Sequence, residues 1–204
     1  MKIIAVGWNY IEHNKELNFL EMPIAPTIFM KPDSALLKDN RPFFLPDFSD
    51  EIHYETEIIF KINKLGKNIP EKFAHRYYNE IGVGIDFTAR DIQQKLRKES
   101  NPWEICKGFD NSAVVSKFLP ISDFENINNL NFHLNINGKT VQKGNTTGQI
   151  FSIDKIITYV SRFFTLKIGD IIFTGTPAGV GKVNLNDRLQ AYIEDKKMLD
   201  FAIK

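Results

Sequence analysis

The amino-acid sequence predicts a mixed α/β fold in which strands predominate. Short apolar or alternating runs recur along its 204 residues, bounded by Gly, Pro and Asn, as in residues 2–6, 26–32, 51–62, 81–86 and 171–173. Helical spacing of apolar residues is confined to a few stretches, the clearest being residues 153–164. With 43% hydrophobic and 25% charged residues and 17 Phe, the chain can build a core, and disorder or a fibrous fold does not fit. The length suits one domain over residues 1–204 that removes roughly 70% of its unfolded surface from water.

Taken in order, residues 2–6 read as a first strand broken by Gly7, and Asn9 is placed to cap a short helix over residues 10–17. Residues 26–32 form a strand closed by a proline, and residues 42–46 are extended because proline and the residue before it disfavour helix. A strand over residues 51–62 turns at residues 63–68, followed by a predicted helix over residues 71–80, with His75 at its surface. Residues 81–86 read as a buried strand ending on Asp86, and residues 88–98 as a helix rich in strong helix formers. Residues 101–110 are an irregular segment. Residues 131–137 alternate, with His133 facing solvent, and Asn137-Gly138 turns them into a partner strand over residues 139–142. Ser152 caps a packing helix with Ile153, Ile156, Ile157, Val160 and Phe164 on one face. Residues 171–173, 184–193 and 198–203 supply the closing strands.

Charge narrows the partners. Lys+Arg 26 against Asp+Glu 25 leaves a formal +1 with no long run of one sign, which disfavours nucleic acid and a polybasic membrane anchor. A small-molecule partner is expected. The lone Cys106 rules out an intramolecular disulfide, no apolar stretch reaches transmembrane length, and Gly7 to Tyr10 ends the opening apolar run too early for a signal peptide. The chain therefore reads as cytoplasmic.

The chemistry centres on residues 51–62. In an extended strand His53, Glu55 and Glu57 share one face, so two anions stand side by side. They face water, share a proton or bind a cation. Ile58-Ile59-Phe60 leads the strand into a core, where a buried pair needs compensation such as a hard divalent ion with oxygen ligands; a solvated antiparallel face fits this stretch at least as well. His13 and Glu16, three apart on a helix, suit a general base with an orienting carboxylate, or are an incidental surface pair. Lys107 among Ile105, Cys106 and Phe109 either snorkels or aims a cation at an anionic ligand. Cys106 itself reads as a small buried hydrophobe. The small residues from Thr174 to Gly181 bring backbone amides and two hydroxyls near whatever lies above them, which suits a carboxylate-bearing ligand.

Several pieces, in this order, resemble one family: Gly7-x-Asn9-Tyr10-x-x-His13-x-x-Glu16, Phe29-x-Lys31-Pro32, His53-x-Glu55-x-Glu57, Asp86-x-Thr88-Ala89-Arg90-Asp91-x-Gln93, Pro102-Trp103-x-x-x-Lys107 and Gly169-Asp170-x-Ile172-x-Thr174-Gly175-Thr176-Pro177-x-Gly179-Val180-Gly181. They are similar to the fumarylacetoacetate hydrolase (FAH) family, in its short acylpyruvase and oxaloacetate decarboxylase branch, over nearly the whole chain. The resemblance implies a mixed β-sheet roll with short peripheral helices, a homodimer, and one Mg²⁺ or Mn²⁺ held by Glu55, Glu57 and Asp86. It implies that the metal chelates a 2-oxoacid, that Lys107 stabilises the enolate, and that His13 with Glu16 activates water. Arg90, Gln93 and Thr176 would hold substrate oxygens, and Arg90 has a structural salt bridge as its alternative. Trp8 departs from the Arg common before Asn-Tyr, Gln149 stands where an apolar residue is usual, and the residues after Phe60 lack the usual glycine.

The function expected on this basis is metal-dependent hydrolysis of the carbon-carbon bond of acylpyruvate-like 2-oxoacids. Oxaloacetate decarboxylation and tautomerisation or isomerisation of an unsaturated 2-oxo diacid are the alternatives, and outside enzymes a non-catalytic small-acid binding protein.

Overall fold

The computed structural model describes residues 1–16 and 22–204. The chain opens with β1 (Ile3–Gly7), α1 (Ile11–Glu16), β2 (Thr27–Lys31), β3 (Leu36–Leu37), β4 (Ile52–Tyr54) and β5 (Thr56–Ile62). Then come α2 (Glu71–Ala74), β6 (Tyr78–Asp86), β7 (Thr88–Ala89), α3 (Arg90–Lys98), α4 (Glu104–Lys107), β8 (Ala113–Val115) and β9 (Leu119–Pro120). The last third holds β10 (Asn131–Ile136), β11 (Lys139–Asn145), α5 (Ile153–Phe163), β12 (Ile171–Phe173), β13 (Gly181–Lys182), β14 (Arg188–Ile193) and β15 (Lys196–Ala202). The fold is mixed α/β and mostly strand, as the sequence predicts.

An eight-stranded sheet in the order β2-β1-β12-β5-β6-β8-β3, with β9 also on β6, curls into a half-barrel. β1–β12 and β3–β8 are its parallel pairs. Alternation splits its side chains between two cores. Ile4, Ile58, Phe60, Val83 and Ile172 join the larger one, which also takes in the packing helix α5 and the four-stranded sheet β11-β10-β14-β15. Ile3, Ala5, Ile59, Ala113 and Phe173 fill the smaller one on the opposite face. Among the described residues no helix is long and apolar enough to cross a membrane.

Several local expectations change. The predicted strand over residues 51–62 breaks at Glu55: β4 joins a three-stranded sheet with β13 and β7, whereas β5 enters the half-barrel. Thr56, paired with Ile85 in the β5–β6 ladder, donates its N–H outward to Gln142 Oε1 at 3.0 Å. The helix predicted over residues 71–80 stops at Ala74, because Tyr78 and Glu80 pair with Ile62 and Lys61 of β5, where Lys61 Nζ reaches Glu80 Oε2 at 2.8 Å. Residues 88–89 form a strand, so α3 starts at Arg90, and the irregular segment after it contains the single turn α4. Asn9 does not cap α1; its side chain grips Phe151 and Thr174 instead. The predicted end of that helix, Leu17, lies outside the described residues. Phe164 ends α5 at an exposed position rather than on its packing face.

Other expectations hold. Ser152 caps α5, its Oγ accepting from Lys155 N. Asn137 and Gly138 both take positive φ, 52° and 80°, the two-residue hairpin geometry. His75 is exposed as expected, whereas His133, expected to face solvent, is half-buried and stacks on Tyr192.

Close packing inside the half-barrel requires Gly84. A Cβ there would stand 2.6 Å and 2.8 Å from two Phe173 ring carbons and 3.0 Å from Ile59 Cγ2, all buried. Gly84→Ala should therefore destabilise the fold by about 1–3 kcal/mol. A denaturant midpoint equal to wild type would show that the ring can move aside.

Candidate active site

Glu57 lies opposite Gly84 in the β5–β6 ladder, and one step further Asp86 N–H donates to Glu55 O at 2.8 Å. This register brings together Glu55, Glu57 and Asp86, one oxygen from each lying within 4.8 Å of the others, all three buried. Three cations surround them. Lys107, delivered by α4, places Nζ 2.8 Å from Glu55 Oε2, 2.7 Å from Asp86 Oδ2 and 2.7 Å from Thr88 Oγ1. Arg90, at the start of α3, bonds through Nη2 to Glu55 Oε1 and through Nη1 to Gln93 Oε1. Lys31, closing β2, has Nζ 2.7 Å from Asp86 Oδ1 as an ion pair, and donates to Ser112 Oγ at 2.9 Å and to Lys107 O.

The charges are therefore matched but unevenly distributed. Burial opposes ionisation of Glu55, yet Lys107 and Arg90, with His13 behind them, hold its carboxyl well below the usual range. Glu57 is the reverse case. Burial, then the Asp86 and Glu55 charges, push it well above the ordinary value, against Lys107 and the Gly175 N–H that it accepts at 2.6 Å. Burial lowers Lys31 despite Asp86, while Asp86 and Glu55 outweigh burial and raise Lys107. The three carboxylates offer hard oxygen donors, and Glu57 lacks a cationic partner among the described residues, a set that could hold a divalent cation.

A cleft of about 370 Å³, counting its open mouth, rises above this floor. His13, Glu55, Glu57, Asp86, Arg90, Gln93, Lys107 and Thr176 all line it. His13 is buried, its Nδ1 3.0 Å from Glu16 Oε2, and Glu16 is braced by Gly179 N–H at 3.1 Å. Val6, Gly7 and an aromatic wall complete the lining: Trp103 meets Trp8 and Phe29 edge-on, each at 5.9 Å between centroids.

Every nominated side chain thus reaches one cleft, but two expectations need correction. The small-residue loop does not offer its groups freely: Gly175 and Gly179 amides go to Glu57 and Glu16, and the Thr174 and Thr176 hydroxyls donate to Ile58 O and Thr56 O. His53 leaves the carboxylate set because the strand breaks at Glu55; it is half-buried on β4, 3.8 Å from Glu51 Oε2. Cys106 is buried, its thiol pushed up to about 11 by that burial, as befits a packing residue.

The sequence reading assigned no role to Lys31 or Gln142. A lysine closing an apolar strand before Pro32 was the available signal for the first. Gln142 lies in a strand of ordinary polar alternation, yet it is buried and ties Thr56 to Thr176 and Pro177.

Glu57 makes the floor pH-sensitive. A carboxyl raised in the folded state stabilises the fold fully below its unfolded value of about 4.3, and that contribution is lost as pH rises through the raised value. In metal-free protein Glu57→Gln should flatten this fall in stability. Identical wild-type and variant slopes of Tm against pH above about pH 4.3 would contradict the assignment.

The pattern of the family described as "Fumarylacetoacetate (FAA) hydrolase C-terminal" matches residues 2–203. The chain is 37% identical over 202 residues to "Oxaloacetate tautomerase FAHD1, mitochondrial" of Mus musculus, covering 99% of this chain and 91% of that protein. It is 40% identical over 183 residues to "Oxaloacetate decarboxylase, mitochondrial" of Dictyostelium discoideum, covering 89% and 84%. Among solved structures, fumarylpyruvate hydrolase from Pseudomonas aeruginosa in complex with Mn²⁺ and pyruvate matches with a TM-score of 0.93 at 32% identity, covering 100% of this chain and 89% of that one.

Proposed function

Since the chain belongs to the fumarylacetoacetate hydrolase family and is an enzyme of that family, we propose that its cleft works on a 2-oxo diacid through the enolate, interconverting the keto and enol forms of oxaloacetate. The observation that carries this reading is one buried imidazole with an orienting carboxylate, His13–Glu16, opening on the same cleft as a neutralised set of carboxylates.

Glu55, Glu57 and Asp86 would hold Mg²⁺ or Mn²⁺. Their oxygens-only chemistry fits a hard ion, and a bound cation would favour the ionised form that Glu57 resists without one. When bound, that ion supplies Lewis-acid polarisation of the 2-oxo group. The protein's own groups do the rest. Arg90 keeps Nε as a buried donor without a partner among the described residues, available to a substrate carboxylate. Lys107 sets positive charge beside the position where enolate charge develops. With Nδ1 donating to Glu16, His13 presents Nε2 as the base that takes the C3 proton and delivers it to the enolate oxygen to give the enol, the reverse transfer restoring the ketone. Gln93 orients the Arg90 guanidinium, and Thr176 fixes the cleft wall.

Acylpyruvate hydrolysis is the second reading, and the same dyad favours it. There His13 Nε2 takes its proton from water attacking the distal carbonyl, and Lys107 meets the enolate that leaves. Decarboxylation needs the enolate stabilisation but no base, which separates it from both.

The test follows the enol absorbance of oxaloacetate and of acetylpyruvate with Mg²⁺ or Mn²⁺, against metal alone and against chelator, while scoring pyruvate and acetate. Metal-dependent, chelator-sensitive interconversion of oxaloacetate is expected. His13→Ala should lower it on the order of 10²–10⁴-fold, and acylpyruvate hydrolysis likewise, while decarboxylation persists. Faster release of acetate and pyruvate from acetylpyruvate would move the assignment to the hydrolase. Equal loss of all three activities would sink the division of roles, and no turnover of either compound would sink the enzyme reading of this cleft.

A further inference from the structure

We propose that Arg97, stacked on Trp8, is a second carboxylate anchor at the mouth of the cleft, extending its range from oxaloacetate to 2-oxo diacids with longer chains. The proposal deepens the 2-oxoacid reading of the floor and rests on it, but not on which reaction follows.

The first support is helical phase. Arg90 and Gln93 lie three apart on α3, both buried and both lining the cleft. Arg97 follows at seven residues from Arg90, on the same face and about 10 Å further along the helix. That helix face therefore runs from the cleft floor outward, and Arg97 is exposed where it emerges.

The second support is how its charge is held. The guanidinium carbon lies 4.8 Å from the Trp8 ring centroid, a cation–π contact. Among the described residues the guanidinium makes no hydrogen bond or ion pair, so its donors are available to a ligand. The floor cations differ, since Lys31, Lys107 and Arg90 are each already paired with Asp86 or Glu55. A ligand's second carboxylate finds no unmatched cation among them.

Backbone strain is the third support. Trp8 holds φ at 63°, a region that bulky residues rarely occupy and that persists only where neighbours enforce it. Trp8 O accepts from Asn14 Nδ2 at 3.0 Å, and its ring meets Trp103 edge-on. The strained residue lines the cleft and carries a cation on its ring. Between the two ends, Phe29 and Trp103 give the ligand's carbon chain an apolar wall.

Trp8 and Trp103 are the chain's two tryptophans, so intrinsic fluorescence of the Mg²⁺-loaded protein reports directly on this rim. The experiment titrates 2-oxoglutarate, 2-oxoadipate and 2-oxopimelate against their chain-matched monoacids 2-oxopentanoate, 2-oxohexanoate and 2-oxoheptanoate. The longer diacids should bind about tenfold more tightly than their monoacids. R97Q should erase that preference, and R97K should restore part of it; Arg97 is exposed, and an unchanged Tm would confirm the fold of each variant. A diacid preference of the same size in R97Q, or none in wild type while monoacids bind, overturns the anchor and leaves the floor reading standing. If wild type binds neither series, the 2-oxoacid reading falls and the anchor with it.

Discussion

Burying three carboxylates together is the constraint on which the rest of this structure depends. Like charges at such separations repel strongly once water is removed, and desolvation alone disfavours each of them. The fold answers with Lys31, Arg90 and Lys107, drawn from the end of β2, the first residue of α3 and the last of α4. None of these cations is a sequence neighbour of the carboxylate it meets, so the site exists only when the half-barrel has closed. Removing one partner would leave an uncompensated buried charge, a far larger penalty than the net worth of the pair.

Compensation stops short of complete, and that is informative. Among the described residues Glu55 and Asp86 take the cations, whereas Glu57 accepts the Gly175 amide and stays reluctant to ionise. Gly175 reaches that position at a φ of 96°, and a Cβ there would stand 2.7 Å from Asn9 Cβ. The Asn9 side chain in turn fastens Phe151 and Thr174 around the same loop. Distant segments are thus locked around one carboxylate that remains short of positive charge. A stable fold has no need of that deficit, and a bound cation would remove it.

Legibility in the sequence followed the range of the interaction. Alternation and turn chemistry located β1, β2, β10, β12 and the Asn137-Gly138 hairpin, because these signals sit within a few residues of one another. The resemblance of spaced motifs named residues that the fold gathers in one cleft, which no spacing could bring together: nothing local says that Asp86 meets Glu55. Errors arose where tertiary pairing overrode local preference. Residues 78–80 have helical neighbours but pair with β5 through the Lys61–Glu80 contact. The strand through Glu55 splits because its halves pair with different strands, β4 with β13 and β7 and β5 with β6 and β12, and the Thr56 amide beside the split goes to Gln142, eighty-six residues away. Buried polar positioning groups of this kind carry no periodic signal.

The floor of the cleft does not by itself choose a reaction. Tautomerisation, decarboxylation and carbon-carbon hydrolysis of a 2-oxoacid all pass through charge on the same oxygen, and groups that stabilise that charge serve all three equally. Discrimination must come from what lies above: where the proton is taken, and how far the ligand extends. In the proposed reading His13 moves the proton there, and its orientation is set by Glu16, which Gly179 braces from the loop that also carries Gly175. One loop therefore fixes both the base and the least compensated carboxylate. A shift in that loop would alter charge at the floor and proton transfer above it together, while the rim of Trp8, Trp103 and Arg97 could change ligand length without disturbing either.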